Sequence, residues 1–316
     1  MKTGFYTNPI YMKHDTGSHP ENANRLRVIQ EKIKSDGLIE KLQIQLGRSA
    51  SSKEIQMLHT EKMISEIEFA CNSGAKTLYT PDCVISPQTY SAALHAVGSV
   101  LDAALEVAER RLDNAFCAVR PPGHHAEYNL AMGFCFFNNI ALAAEFLTRK
   151  MGFKRVLIFD FDVHHGNGTQ HFFEERSDVF FVSIHQDPRS CYPGTGFSNE
   201  RGISAGLGYT LNIPVLPGLE DEEYLRIFHT QVKPKLNEFN PDFVLVSAGF
   251  DAHRDDPLAS LKLTEKTFIE LTKELKILAD HNAGGRIISL LEGGYDLNAL
   301  STCVLEHIRV FQSEDI

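Results

Sequence analysis

Residues 156–169, VLIFDFDVHHGNGT, place Asp160, Asp162, His164 and His165 at the end of an otherwise apolar run. In an extended strand side chains alternate, so Asp160, Asp162 and His164 share one side while Phe161 and Val163 face the other. Two carboxylates held that close repel unless a cation, a proton or a hydrogen-bond donor lies between them, and an Asp/His set suits zinc. Asp251, in SAGFDAH at another strand end, completes an Asp162, His164, Asp251 set. One coordination position then stays open to water and substrate, as a catalytic zinc requires. Asp160 is left to orient an imidazole or a ligand. A second constellation is PGHHA, where Pro121 and Pro122 fix the backbone and Gly123 permits an unusual dihedral. His124 and His125 therefore belong to a shaped loop.

The elements that must position these groups alternate between helix and strand. Helical spacing marks HPENANRLRVIQEKI, with Leu26, Ile29 and Ile33 on one side and Pro20 near its start, and also YSAALHAVGSVLDAALEVAERRL, FNNIALAAEFLTRK and LTEKTFIELTKELKILAD. Between them lie the β-rich runs AFCAV, RVLIFDFD, VFFVSIH, YTLNIPV, DFVLVSAGFD and RIISLLEGGYD. Most are continuously apolar, as expected of strands covered on both faces in a mostly parallel sheet. The expected fold is a three-layer α/β domain comprising residues 1–316, without internal repeats. RPPGHH, DVHHG, HQDP, DAHRDDP and GGYD all fall where strands stop, and in open α/β sheets ligands bind outside those carboxyl ends. The five clusters predict one crevice. Its His, Asp and Tyr inventory is that of a metal-assisted hydrolase. No GxGxxG or GxxxxGK[ST] motif opens a helix after a strand.

Composition narrows the partners. The formal net charge of -10 repels phosphate backbones, which argues against nucleic acid and for a cationic substrate or peptide. Neither a signal-peptide pattern nor an apolar run near 18 residues is read in the sequence, so no membrane partner and a cytoplasmic location are expected. The six cysteines form no CxxC pair and read as buried thiols rather than disulfides or a thiolate zinc knot. Only the closing QSEDI reads as disordered.

VRPPGHHAEYNLAMGFCFFNNIA, DFDVHHGNGTQHFF, VLVSAGFDAHRDDPL and LEGGYDL resemble, in order, the zinc-dependent histone deacetylases of the arginase/deacetylase fold, in particular their class II-like branch. The similarity runs from HPENANR to EGGYDL. It implies an eight-stranded parallel sheet flanked by helices, and a zinc amidohydrolase removing acetyl or other acyl groups from lysine side chains in proteins or peptides. By this resemblance Asp162, His164 and Asp251 are the ligands of one zinc. His124 and His125 are the tandem catalytic histidines, with Asp160 behind the first, and Tyr295 faces the scissile carbonyl. Gly133, Phe134 and Tyr192 line the tunnel for the lysine stem, Leu258 stands at its gate, and Asp82 is the rim acid that grips the substrate backbone. Ser183 matches a structural potassium site built with backbone carbonyls around Asp160, Asp162 and His164. Arg25 matches the arginine near the pocket that receives released acetate.

Departures from the family pattern refine these expectations. Asn167 stands where class I members carry aspartate behind the second histidine, which should leave His125 less basic. Tyr295 is kept, whereas one class II subgroup carries histidine there and is nearly inert toward acetyl-lysine. The short chain fits a stand-alone homologue of bacterial type. A dinuclear manganese ureohydrolase of the same fold needs D-x-H-x-D, but position 166 is Gly. An acetylpolyamine amidohydrolase would share every catalytic residue, and a non-catalytic acyl-lysine reader need not keep His124, His125 and Tyr295 together.

Overall fold

The computed structural model describes residues 1–313. In chain order the strands are β1 (Thr3–Thr7), β2 (Leu42–Leu46), β3 (Thr77–Leu78), β4 (Thr80–Val84), β5 (Asn114–Cys117), β6 (Val156–Asp160), β7 (Val179–Gln186), β8 (Thr210–Val215), β9 (Phe243–Ala248) and β10 (Ile287–Leu291). Eight form one sheet in the order β2-β1-β5-β10-β9-β6-β7-β8, and every pairing in it is parallel. The remaining two make a small antiparallel hairpin, β3-β4. The six β-rich runs of the sequence became β5 to β10. The other two sheet strands escaped the pattern for different reasons. TGFYT in β1 is short and carries Gly and Thr, and LQIQL in β2 is an edge strand in which only Leu42 is buried, so it lacks a continuous apolar run.

β5, β6, β7, β9 and β10 are buried at every position. Burial on both faces requires helices on both, and the helices Asn24–Asp36, Glu265–Asn282 and Leu297–Gln312 pack together as one group while Thr89–Ala108 packs on Asn139–Arg149 as another. Leu26, Ile29 and Ile33 lie wholly inside. Each fully buried side chain of this size contributes about 1.5–3 kcal/mol by removal from water. Contrary to the sequence reading, Thr89–Ala108 is apolar enough over 18 residues to cross a membrane by length and composition. Its Ala and Val face is instead buried against β1, β5, β10 and the Asn139–Arg149 helix, so its apolarity serves the core. Five cysteines are buried and Cys191 is half-buried. Of QSEDI, Gln312 closes the last helix, and residues 314–316 lie outside the described part.

The strand order brings the site together. β5, β10, β9 and β6 are consecutive neighbours in the sheet although they are far apart in sequence. The loops after their carboxyl ends carry His124 and His125, Tyr295, Asp251, and Asp162 with His164, respectively.

One buried histidine outside this crevice predicts how the fold responds to acid. His307 lies among Phe116, Phe161, Phe250 and Phe311, with Nδ1 2.7 Å from the Thr272 hydroxyl. Burial pushes its pKa down to about 3. Below pH 6.5 the unfolded chain binds a proton there that the native protein refuses, so stability falls as pH drops from about 6.5 toward 3. His307→Leu should reduce the slope of unfolding free energy over that window by about 1.4 kcal/mol per pH unit. Urea titrations at several pH values measure this; an unchanged slope would contradict a neutral His307.

Candidate active site

β6 ends at Asp160, so Asp162 and His164 do not alternate along a strand as the sequence suggested; they lie in the bend that follows. The bend brings them together by another route, because the His164 amide donates to Asp162 Oδ1 at 2.9 Å. His164 Nδ1 then lies 3.0 Å from Asp162 Oδ1 and 3.1 Å from Asp251 Oδ2. The ligating atoms of the three residues all fall within 4.8 Å of one another.

Backbone amides hold the outward oxygens of both carboxylates. Gly293 N–H donates to Asp162 Oδ2 at 2.8 Å, and Val163 N–H donates to Asp251 Oδ1 at 2.9 Å. Glycine is required around them for space: a Cβ at Gly293 would sit 2.0 Å from Asp251 Oδ2, and one at Gly249 2.0 Å from Asp162 Oδ2. Two buried carboxylates and an imidazole nitrogen therefore converge in one cradle. Burial raises the Asp251 pKa, with the neighbouring Asp162 charge adding to it. A divalent cation removes that repulsion, and three protein donors with one open side fit a catalytic metal. Asp162, His164 and Asp251 form the metal-binding triad. A second metal finds no ligand at position 166, where a Cβ would strike Asp160 Oδ2 at 2.3 Å.

The tandem histidines lie on the rim of this cradle, their rings 4.0 Å apart. His124 Nδ1 is 3.0 Å from Asp160 Oδ2. Burial opposes its protonation, yet the charges of Asp160, Asp162 and Glu292 prevail and raise its pKa to about 10. His125 Nδ1 is 2.7 Å from Asn167 Oδ1, and its pKa is pushed well below the ordinary value, first by burial and then by cationic His124. The low basicity expected of His125 is present, but burial is its main cause, and the hydrogen bond to Asn167 itself works the other way. Gly123 serves close approach rather than an unusual dihedral: a Cβ there would lie 2.5 Å from the Asn139 nitrogen.

Around the triad, Tyr192 sets its ring 5.1 Å from His125 and 6.4 Å from His164, while Phe134 meets Tyr295 edge-on at 5.9 Å. Burial raises the Tyr295 pKa, so its hydroxyl remains a donor. Gly133 and Phe134 both adopt positive φ, 56° and 67°, and a Cβ at Gly133 would come 2.3 Å from His125 Cδ2. Asp82, on β4, accepts the Gly133 amide at 3.0 Å and so braces this loop. Leu258 is 38% exposed, which removes it from the core. Arg25 is fully buried and donates to the carbonyls of Gly294 at 2.7 Å and Glu292 at 2.5 Å, with its guanidinium 5.0 Å from the Tyr295 ring centroid. Ser183, opposite Asp160 in the β6–β7 register, bonds His185 Nδ1 at 2.8 Å.

Two supporting acids escaped the sequence reading. Glu292 accepts the amides of Gly123 and His124 at 2.7 and 3.2 Å, tying the histidine loop to the end of β10. Asp256 accepts the amides of Leu258, Tyr295 and Asp296, joining the gate loop to the tyrosine loop. Glu292 was visible in principle, since a charged residue closing the apolar run IISLLE repeats the logic that singled out Asp160. Asp256 sits in a polar loop and gives no such signal.

This triad predicts that purified protein carries about one metal ion per chain, since three protein ligands leave one open position. Asp251→Ala should lower the metal content to below about a tenth of that while the protein stays folded. Elemental analysis with circular dichroism tests this, and full metal retention in Asp251→Ala would remove Asp251 from the site.

Residues 19–311 match the histone deacetylase domain family. The chain is 38% identical over 300 residues to a probable deacetylase of Archaeoglobus fulgidus, covering 94% of this chain and 82% of that one. It is 40% identical over 333 residues to histone deacetylase 9 of Homo sapiens, covering 94% of this chain but only 32% of the human protein. The solved HDA15 HD domain superposes with a TM-score of 0.92 at 36% identity, over 98% of this chain and 88% of that one. With the eight-stranded sheet and the Asp162, His164, Asp251 triad in place, the chain belongs to the histone deacetylase family of hydrolases, close to its class II members.

Proposed function

We propose that this protein is a zinc-dependent lysine deacetylase, hydrolysing the side-chain amide of acetyl-lysine in proteins or peptides. The observation that carries this reading is one crevice holding an open-sided metal triad, two adjacent imidazoles of opposite basicity, and a protonated tyrosine. Bound in the triad, zinc supplies Lewis-acid polarisation of an amide carbonyl and acidifies a water molecule. His125, neutral at physiological pH, can accept a proton from that water and return one to the departing lysine amine. A positioned acid–base group of this kind typically contributes about 10²–10⁴-fold. His124, cationic beside Asp160, supplies fixed positive charge next to the reacting centre. The Tyr295 hydroxyl donates to the carbonyl oxygen as it gains charge, and Phe134 and Tyr192 sleeve the apolar lysine stem. Potassium belongs to the same proposal and rests on the family resemblance of Ser183, which lies opposite Asp160 in the β6–β7 register.

If Tyr295 acts on the oxyanion, Tyr295→Phe should lower kcat on an acetyl-lysine peptide by about 10²–10³ with zinc still bound. KM should change far less. A variant within about threefold of wild type would place that donor elsewhere.

Leu258 addresses substrate class. It stands exposed near Tyr295, with its amide on the same Asp256 carboxylate that receives the Tyr295 amide. A polyamine brings a second ammonium several carbons from the scissile amide, which a carboxylate at the gate would bind for about 1.5–3 kcal/mol. Leucine provides no such partner, so acetyl-lysine peptides should be hydrolysed in preference to acetylspermidine. Leu258→Glu should move the ratio of kcat/KM toward acetylspermidine by about tenfold. A wild-type preference for acetylspermidine would replace this reading with an acetylpolyamine amidohydrolase.

A further inference from the structure

Asn167, the partner of His125, is a primary amide, and its two ends are nearly the same size and shape. A carbonyl facing His125 Nδ1 requires Nδ1–H and leaves Nε2 free to accept a proton; an amino group facing it would require the opposite tautomer. Something must choose between the two. Asn167 Nδ2 is in close contact with a carboxylate oxygen of Glu127, and its other neighbours are the His125 carbonyl at 3.4 Å and Met132 Sδ at 3.5 Å. All three are acceptors. Turning the amide over would set its oxygen against the Glu127 carboxylate, with no proton between them and both groups largely shielded from water.

We propose that Glu127 is a positioning residue: by accepting from Asn167 Nδ2 it forbids the flipped amide and so holds His125 in the Nδ1–H tautomer. Glu127 is itself held. His171 Nδ1 donates to it from 2.8 and 2.9 Å of its two oxygens, and its backbone carbonyl bonds His59 Nδ1 at 2.9 Å. Its side chain is 17% exposed, while that of His171 is 45% exposed, so the chain His125, Asn167, Glu127, His171 runs from the site toward solvent. The carboxylate is needed because the partner of His125 is neutral. Both oxygens of an aspartate at position 167 would accept, and neither orientation would favour the wrong tautomer. The kinetic consequence rests on the hydrolase reading above, whereas the tautomer does not.

The experiment uses three forms of the full chain: wild type, Glu127→Gln, and Glu127→Gln combined with Asn167→Asp. Glu127→Gln keeps shape and packing but adds a donor that tolerates the flipped amide. Long-range ¹H–¹⁵N spectra of the His125 ring read the tautomer directly, with or without metal. Wild type should show Nδ1–H alone. Glu127→Gln should show a second tautomer and a kcat lowered by about threefold to tenfold at nearly constant KM and unfolding temperature. The double variant should return to one tautomer and recover at least half of the lost rate. A single Nδ1–H tautomer in Glu127→Gln, or no recovery in the double variant, would overturn the assignment. Absence of turnover on every acyl-lysine substrate would sink the functional reading alone, since the spectra still decide the role of Glu127.

Discussion

The structure depends on the burial of carboxylates. Asp160, Asp162, Asp251 and Glu292 are each no more than 1% exposed, and they converge at the carboxyl ends of three adjacent strands. Taking one such ion out of water costs several kcal/mol after relaxation, so every oxygen must find a donor or a cation. The chain meets this locally with amides: Gly293, Val163, His164, Gly123 and His124 each direct an N–H at a carboxylate. What amides leave unbalanced is met by the His124 cation and, at the triad, by a metal. The chemistry of the site is thus the residue of an electrostatic problem that the fold solves only in part.

An all-parallel sheet suits this arrangement because all its strands end on the same side. Motifs that follow β5, β6, β9 and β10 therefore meet on one side: the connections after β6 and β10 are short, residues 161–166 and 292–296, while the long ones after β5 and β9 are pinned by Glu292 and Asp256. A second buried charge cluster ties the N-terminal segment to the same face. Glu21 accepts from Arg120 at 2.5 and 2.8 Å and from Arg25 at 3.3 Å, and Arg25 goes on to the carbonyls beside Tyr295. Those guanidiniums hold the Glu21 pKa down to about 2 despite burial. Breaking such a network by removing one partner ordinarily costs 3–5 kcal/mol, so Tyr295 is placed by a rigid scaffold and not by a loop alone.

Much of this was legible in the sequence because burial makes polarity conspicuous. Asp160, Asp162 and Asp251 stood out against apolar runs, PGHHA and GGYD fell at strand ends of the same crevice, and the resemblance of the ordered motifs supplied the roles of His124, His125 and Tyr295. The strands with no contrast to show, β1 and β2, were invisible to that reasoning. So was an acid whose work is to hold backbone from within a polar loop. Asp256 bonds three amides from two loops, and no residue pattern marks an acceptor whose partners are main-chain groups. The bend after β6 was likewise hidden, since D-x-D-x-H fits both an extended strand and a turn that closes Asp162 onto His164.

The two adjacent imidazoles show how far environment outweighs identity. His124 and His125 have the same intrinsic basicity, similar burial and rings 4.0 Å apart, yet one is raised to about 10 and the other is pushed well below its ordinary value. Burial lowers both, so it cannot separate them. The difference lies in the atom behind each Nδ1: a carboxylate that requires a cation for His124, and an amide oxygen that accepts the Nδ1 proton of neutral His125. Once His124 is charged, its field lowers His125 further, so the first choice reinforces the second. A pair of identical residues is thereby divided into a fixed charge and a proton carrier, and the division is made by Asp160 and Asn167, neither of which needs to touch the substrate.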